Sequence, residues 1–275
     1  MKLYSFAFTF ATFIFLSCNN SQTAATAPTT NPSDSLQTET VTYNIGNTTY
    51  KSFIAYQPAK GKRPAILVIP EWWGLNDYPK SRAKQLADLG YVAMALDTYG
   101  NGQIASNPQE AEKLATPFYQ NPQLTKTVVD AALAKLKTFP EVDTNNLAAI
   151  GYCYGGYVVL NAAKLGADLK GVVSFHGNLS GVAPDKNLLK AKILVCQGSA
   201  DKFVGPAEQN IFKKQMDSIH ADYTFKVYPN ATHAFTNPAA TETGKKFNMP
   251  IQYNAEADKN SWNDMKNFFD KLFQK

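Results

Sequence analysis

The sequence predicts an α/β fold, with a mostly parallel central sheet flanked by helices and an antiparallel hairpin at its N-terminal end. Three observations carry this. Short, unbroken apolar runs recur along the chain, as expected of strands covered on both faces. Helical patterns with one apolar stripe alternate with them. Ahead of both, residues 40–45 and 48–56 alternate in polarity, are rich in β-branched and aromatic side chains, and are split by Gly46-Asn47, a hairpin signal.

The elements follow in order. Apolar strands are expected at 65–70, 91–96, 147–151, 171–175, 193–196 and 223–228. Helices are expected at 79–89, 124–139, 154–165, 206–219 and 255–273. The first of these turns Ala83, Leu86, Ala87 and Leu89 to one side, and the second aligns Leu124, Val128, Ala132, Leu136 and Phe139. Alternation of this kind implies parallel strands joined by right-handed crossovers. A hairpin leading into a parallel sheet suits the α/β-hydrolase architecture.

The N-terminus reads as a processing segment. After Lys2, residues 3–17 carry no charge and hold five of the seventeen Phe. A positive start followed by a short apolar core is signal-peptide grammar, and the run is too short to span a membrane comfortably. It ends at Phe15-Leu16-Ser17-Cys18, which resembles a bacterial lipobox whose Cys is lipidated. Ordinary cleavage beside an incidental Cys is the plain alternative. Residues 19–38 are polar and nearly uncharged, a composition that suits a flexible tether. The expected organisation is therefore a signal peptide at 1–17, lipidated Cys18 with its tether at 18–38, and one domain at 39–275. An exported protein, lipid-anchored in the bacterial cell envelope, follows from it.

Composition narrows the rest. The 275 residues are 44% hydrophobic and 18% charged, with three Cys and a net charge of +5. That excludes a disulfide-stapled mini-protein, a fully disordered chain and a polytopic membrane protein. The positive charge is spread along the chain with no Lys/Arg stripe, so no nucleic-acid partner is expected. Nothing calls for a metal or cofactor. The membrane is expected to be met through the N-terminal lipid only, and a monomer is the favoured state.

The strongest chemical signal is Gly151-Tyr152-Cys153-Tyr154-Gly155-Gly156, lying between a strand and a helix. A nucleophile elbow is a strained turn, and small residues at ±2 let strand and helix approach. The Cys153 side chain then sits at a helix N-terminus, which favours a thiolate. A buried structural Cys is the plain alternative. Partners are expected after later strands in the order acid, then base. Asp201 and His233 occupy those places, although turn Asp and loop His residues are common. An oxyanion hole would use the backbone N–H of Tyr154 and that of Trp72, in the loop after the third strand. His176, at the end of the strand beside the elbow, is a candidate pocket residue. Cys196 ends a strand two places from the elbow strand, about 10 Å away at ~4.8 Å per strand step. That is too far for a disulfide with Cys153, and Cys196 reads as a small core residue.

Five motifs in order, Pro70-Glu71-Trp72-Trp73-Gly74-Leu75-Asn76, Asp97-Thr98-Tyr99-Gly100, the elbow, Asp201 and His233-Ala234-Phe235, resemble the dienelactone hydrolase family over about residues 40–275. The resemblance implies a Cys153–Asp201–His233 triad that cleaves a small-molecule ester or lactone. It implies that Glu71 meets the resting thiol and helps to activate it. It also implies that Tyr99 borders the pocket. With Tyr99, the residues Trp72, Trp73, Tyr154 and Phe235 would give an aromatic pocket rim, and core packing is the plain alternative for these aromatics. The dienelactone-cleaving members grip the substrate carboxylate with two Arg. Asn101 and Asn237 stand at those places here, so true dienelactone cleavage is not implied.

Two competing readings differ in class. A glutamine amidotransferase-like enzyme also carries an elbow Cys, but commonly with His-x-Glu, and His233-Ala234-Phe235 lacks that acid. A non-catalytic cell-envelope lipoprotein using the fold as a binding module would not need the three reactive groups in this order.

Overall fold

A hairpin opens the fold. β1 (Gln37–Ile45) and β2 (Thr48–Tyr56) pair antiparallel, from Gln37 opposite Tyr56 to Ile45 opposite Thr48, around Gly46 at φ 56°. β2 then runs antiparallel to β4 (Val92–Ala95). Every later neighbour is parallel: β4 with β3 (Arg63–Ile69), then β3 with β5 (Val142–Tyr152), β6 (Gly171–Phe175), β7 (Lys192–Gly198) and β8 (Tyr223–Tyr228) in succession. The sheet order is β1-β2-β4-β3-β5-β6-β7-β8. This computed structural model describes residues 1–5, 7, 9, 35–58 and 61–274. The predicted lipidation site Cys18, with almost all of the predicted signal segment and tether, lies outside the described residues.

The central strands are apolar throughout because both their faces are covered. Side chains alternate between faces, and the two cores divide accordingly. Ala65, Leu67, Ile69, Leu147, Ala149 and Val172 pack beneath α3 (Gln123–Leu136), α4 (Tyr154–Lys164) and α5 (Pro206–Ser218), through Val129, Val158 and Phe212. Ile66, Val68, Ala148, Ile150 and Val173 face α1 (Asp77–Asp88) and α7 (Ala255–Phe273), through Leu86, Met265 and Phe269. Each large aliphatic or aromatic side chain buried this way contributes roughly 1.5–3 kcal/mol.

All eight expected strands and five expected helices are present, with ends shifted by a few residues. β5 starts at Val142 rather than 147, and α3 stops at Leu136. Two further helices, α2 (Pro108–Gln120) and α6 (Ala240–Phe247), were not expected. α2 carries Pro117 in its interior, a residue that argues against a helix when read from sequence. α6 has eight residues, of which only Ala240 and Gly244 are buried. Both lie at the carboxyl end of the parallel strands, over the site described next.

Candidate active site

The elbow needs its glycines. Cys153 joins β5 to α4 at φ 53° and ψ −117°, a conformation costly for a side-chain-bearing residue. A Cβ on Gly151 would lie 2.0 Å from the Gly155 carbonyl oxygen, and one on Gly155 would lie 2.3 Å from that of Ile69. Strand and helix can therefore close on each other only without those side chains. The turn leaves Cys153 half-buried at the N-terminus of α4. The N–H of Tyr154 begins that helix, and the N–H of Trp72 follows β3. Among the described residues neither has an acceptor, so both are free to bind an oxyanion.

Loops after β7 and β8 bring in the other two groups. His233 Nε2 lies 3.0 Å from Cys153 Sγ, and its Nδ1 lies 2.9 Å from Asp201 Oδ2. Asp201 is itself held: Gln197 donates to Oδ2 at 2.8 Å, and the N–H groups of Phe203 and Val204 donate to Oδ1 at 2.8 and 3.2 Å. Burial opposes a charged His233. The interaction with Cys153 and the hydrogen bond that Nδ1 donates to Asp201 outweigh it, raising His233 well above the ordinary imidazole range. A base flanked in this way by a thiol and a fixed carboxylate can take the thiol proton and keep it.

Glu71 differs from what the resemblance implies. Asn237 Nδ2 donates to Glu71 Oε2 at 2.7 Å, while the thiol is bonded to His233. Only 4% of Glu71 is exposed, and burial raises its carboxyl to about 7. The Glu71 carboxyl is bound by the Asn237 amide, and among the described residues the thiol's hydrogen-bond partner is His233 rather than Glu71. Asn237, at the place of a substrate-gripping Arg in dienelactone-cleaving members, thus holds Glu71.

These groups open into a cavity of about 330 Å³. Cys153, His233, Glu71, Trp72 and Tyr154 line its floor, with the expected Trp73 and Asn237 beside them. Trp73 stacks on Phe247 of α6 at 5.8 Å. The unexpected helices supply much of the remaining wall: Ala115, Thr116 and Tyr119 from α2, Ala240 and Thr243 from α6. Phe203, Met249 and Ile251 complete the apolar side. Glu71 and Glu112 are the carboxyl-bearing residues of the lining, which has no Lys or Arg. Among the described residues no cluster of His, Cys, Asp or Glu is arranged to hold a metal ion.

Four expected pocket residues lie elsewhere. Tyr99 is buried behind the wall and donates to the Trp72 carbonyl at 3.0 Å, fixing the peptide that follows Trp72. Asn101 is exposed in a left-handed turn at φ 55°, bonded to Thr49, because Asp97 folds that loop back by accepting the N–H groups of Gly100 and Gly102. Phe235 is fully buried in the α1/α7 core, edge-on to His176. His176 is fully buried beneath the elbow. Cys196 is fully buried and, like Cys153, free of any disulfide. Of the wall residues missed, α2 had a readable signal. Asn107 caps the Glu110 N–H and Glu110 reaches back to Ser106, a capping pattern followed by Pro at the first turn.

A model of the dienelactone hydrolase family matches residues 52–273. The chain belongs to the dienelactone hydrolase family. Among solved structures it is similar to a dienelactone hydrolase-like promiscuous phosphotriesterase from metagenomic libraries, with 33% identity and a TM-score of 0.81 over 86% of this chain and 98% of that one. It is also similar to the carboxymethylenebutenolidase homolog of Xenopus tropicalis, 26% identical over 68% of this chain and 76% of that protein. An α/β-hydrolase enzyme from a deep-sea metagenome library shares the fold alone, at 14% identity and a TM-score of 0.63 over 88% of this chain and 100% of that one. The sheet, its two helical layers and the elbow at a strand end are those of the α/β-hydrolase fold. This member of the dienelactone hydrolase family is a hydrolase.

Proposed function

We propose that this hydrolase cleaves an ester, lactone or thioester through Cys153, His233 and Asp201, by way of an acyl-enzyme. The observation that carries the reading is the unbroken relay at the cavity floor, 3.0 Å from thiol to imidazole and 2.9 Å from imidazole to carboxylate. In the first half-reaction His233 takes the thiol proton and the thiolate adds to the carbonyl carbon. The oxyanion is stabilised by the N–H groups of Trp72 and Tyr154. Collapse breaks the bond to the leaving group, which takes the proton from His233 and departs as an alcohol or thiol. In a lactone it stays tethered to the acyl chain. Water, deprotonated by His233, then cleaves the Cys153 thioester and releases the acid. Asp201 keeps the Nδ1 proton in place throughout and stabilises the imidazolium.

The wall points to the acyl group. A lining with two carboxylates and no Lys or Arg offers no bidentate clamp to offset the desolvation of a substrate carboxylate. The favoured substrate therefore has an uncharged acyl group, apolar toward Trp73, Phe203, Met249 and Ile251. A module that only bound ligands would have no use for a relay ending on a thiol. Turnover of a panel of short esters, thioesters and lactones by the full chain tests the reading. Cys153→Ala is expected to lower kcat at least about a thousandfold. Wild-type rates in that variant would remove Cys153 from the chemistry. We further propose export and lipid attachment at Cys18.

A further inference from the structure

His176 has a role that the mechanism above does not use. It follows β6, directly beneath the elbow, and is completely buried. Its Nδ1 lies 3.1 Å from the backbone nitrogen of Cys153 and accepts that N–H, which is shared with the Phe175 carbonyl at 3.0 Å. Since Nδ1 accepts, the ring proton is on Nε2. There, at 2.7 Å, it is donated to the Thr236 hydroxyl. Thr236 lies three residues beyond His233, on the same loop.

Thr236 is itself anchored. Its hydroxyl shares a 2.6 Å hydrogen bond with the Tyr78 phenol, and its carbonyl accepts Arg82 Nη2 at 2.7 Å. Arg82, also buried, reaches Asp258 on α7 at 2.5 Å. One imidazole thus bridges the two segments that present the thiol and its base, and α1 and α7 hold the far end. The backbone is unusual at both ends of the first link: Cys153 at φ 53° and His176 at φ 41° are both in the left-handed region. Conformations of that kind persist only where the surroundings over-determine them. The neighbours also keep the ring in the form the bridge needs. Burial, then the nearby His233 and Arg82, hold His176 well below the ordinary imidazole range, so Nδ1 stays an acceptor.

We propose that His176 is a positioning residue: by tying the Cys153 amide to the Thr236 hydroxyl, it sets the separation and alignment of Cys153 Sγ and His233 Nε2. The proposal rests on the Cys153–His233 reading of the site. It concerns how those groups are held, not which bond is cleaved.

The test compares full-length wild type, His176→Phe, His176→Asn, Thr236→Val and Cys153→Ala. Three quantities are read for each: kcat and KM on p-nitrophenyl butyrate, the pH profile of Cys153 alkylation by iodoacetamide, and the thermal midpoint. His176→Phe keeps the ring volume and loses both hydrogen bonds. It is expected to lower kcat about tenfold to a hundredfold, with KM changed less than about twofold, as for a misplaced reacting group. Its alkylation profile is expected to shift, because the imidazole no longer meets the thiol squarely. His176→Asn restores an acceptor for the Cys153 N–H and is expected to recover part of kcat. Thr236→Val leaves the ring but removes the hydroxyl that joins it to the base loop, together with that hydroxyl's bond to Tyr78, so it carries the test if His176→Phe does not fold. Its kcat is expected to fall about tenfold. Wild-type kcat and alkylation profile in folded His176→Phe or Thr236→Val, whatever the thermal midpoint, would overturn the proposal. Undiminished turnover in Cys153→Ala sinks the mechanistic reading instead, while the alkylation profiles still report whether His176 positions the thiol.

Discussion

Burial alone would keep His233 neutral, but the interaction with Cys153 and the Asp201 hydrogen bond reverse that preference. Glu71, on the wall of the same cavity, is pushed up to about 7 because burial outweighs the Asn237 hydrogen bond and the nearby His233 and Arg82. Its effect on stability has a definite sign. The folded-state value lies above the usual 4.5, so the folded chain binds that proton more tightly than the unfolded one. The stabilisation is complete below about pH 4.5 and is lost as pH rises through 7. At ~1.4 kcal/mol per pKa unit, the rise from 4.5 to about 7 amounts to about 3 kcal/mol. Glu71→Gln, which cannot ionise, escapes that loss. Denaturant titrations at pH 4 and pH 8 should therefore show wild type losing about 3 kcal/mol more than the variant. Equal losses would mean that Glu71 is solvated as an ordinary carboxylate. At this scale the sequence was most informative where chemistry imposes spacing. Cys153, Asp201 and His233 stood at strand ends in an order that the sheet then brought together. Asn237 was visible only as a missing Arg, because a bond to a carboxylate 166 positions away leaves no local trace.

The elbow is the element on which the site depends, and its tolerance is steric. A methyl on Gly151 would lie 2.0 Å from a backbone oxygen that cannot move without shifting α4. Gly151→Ala should destabilise the chain by about 3 kcal/mol or more, lowering the urea midpoint and kcat together. A stable, active variant would mean that β5 and α4 are not so closely apposed. The same element was easy to read, since glycines at ±2 have little other reason to flank a Cys between a strand and a helix. The helices over the cavity were not. α2 carries Pro117 in its interior, and α6 has only eight residues, contains Gly244 and buries little, so breaker residues and short length hid both. The pocket wall was consequently underestimated. Tyr99 and Phe235, aromatic and near the motifs, were assigned to it although they support it from behind.

Across the whole molecule, the two-faced parallel sheet was legible because its strands are apolar on both sides, and the hairpin because its strands are not. The net charge of +5 is spread along the chain and places no Lys or Arg in the cavity lining. The N-terminal segment carries a separate expectation, since export would confine the reaction to the cell envelope. In cell fractionation the full chain should be retained with membranes, and Cys18→Ala should release it. Retention of that variant would contradict lipid attachment at Cys18.

The central claim is that Cys153 carries the acyl group between the two half-reactions. It is tested most directly by the intact mass of the full chain, acid-quenched during turnover of a slowly deacylated ester. The account predicts a mass increase equal to one acyl group, mapped by peptide analysis to Cys153 and absent from Cys153→Ala. Turnover at full rate with no adduct on Cys153, or an adduct on another residue that Cys153→Ala leaves in place, would contradict it.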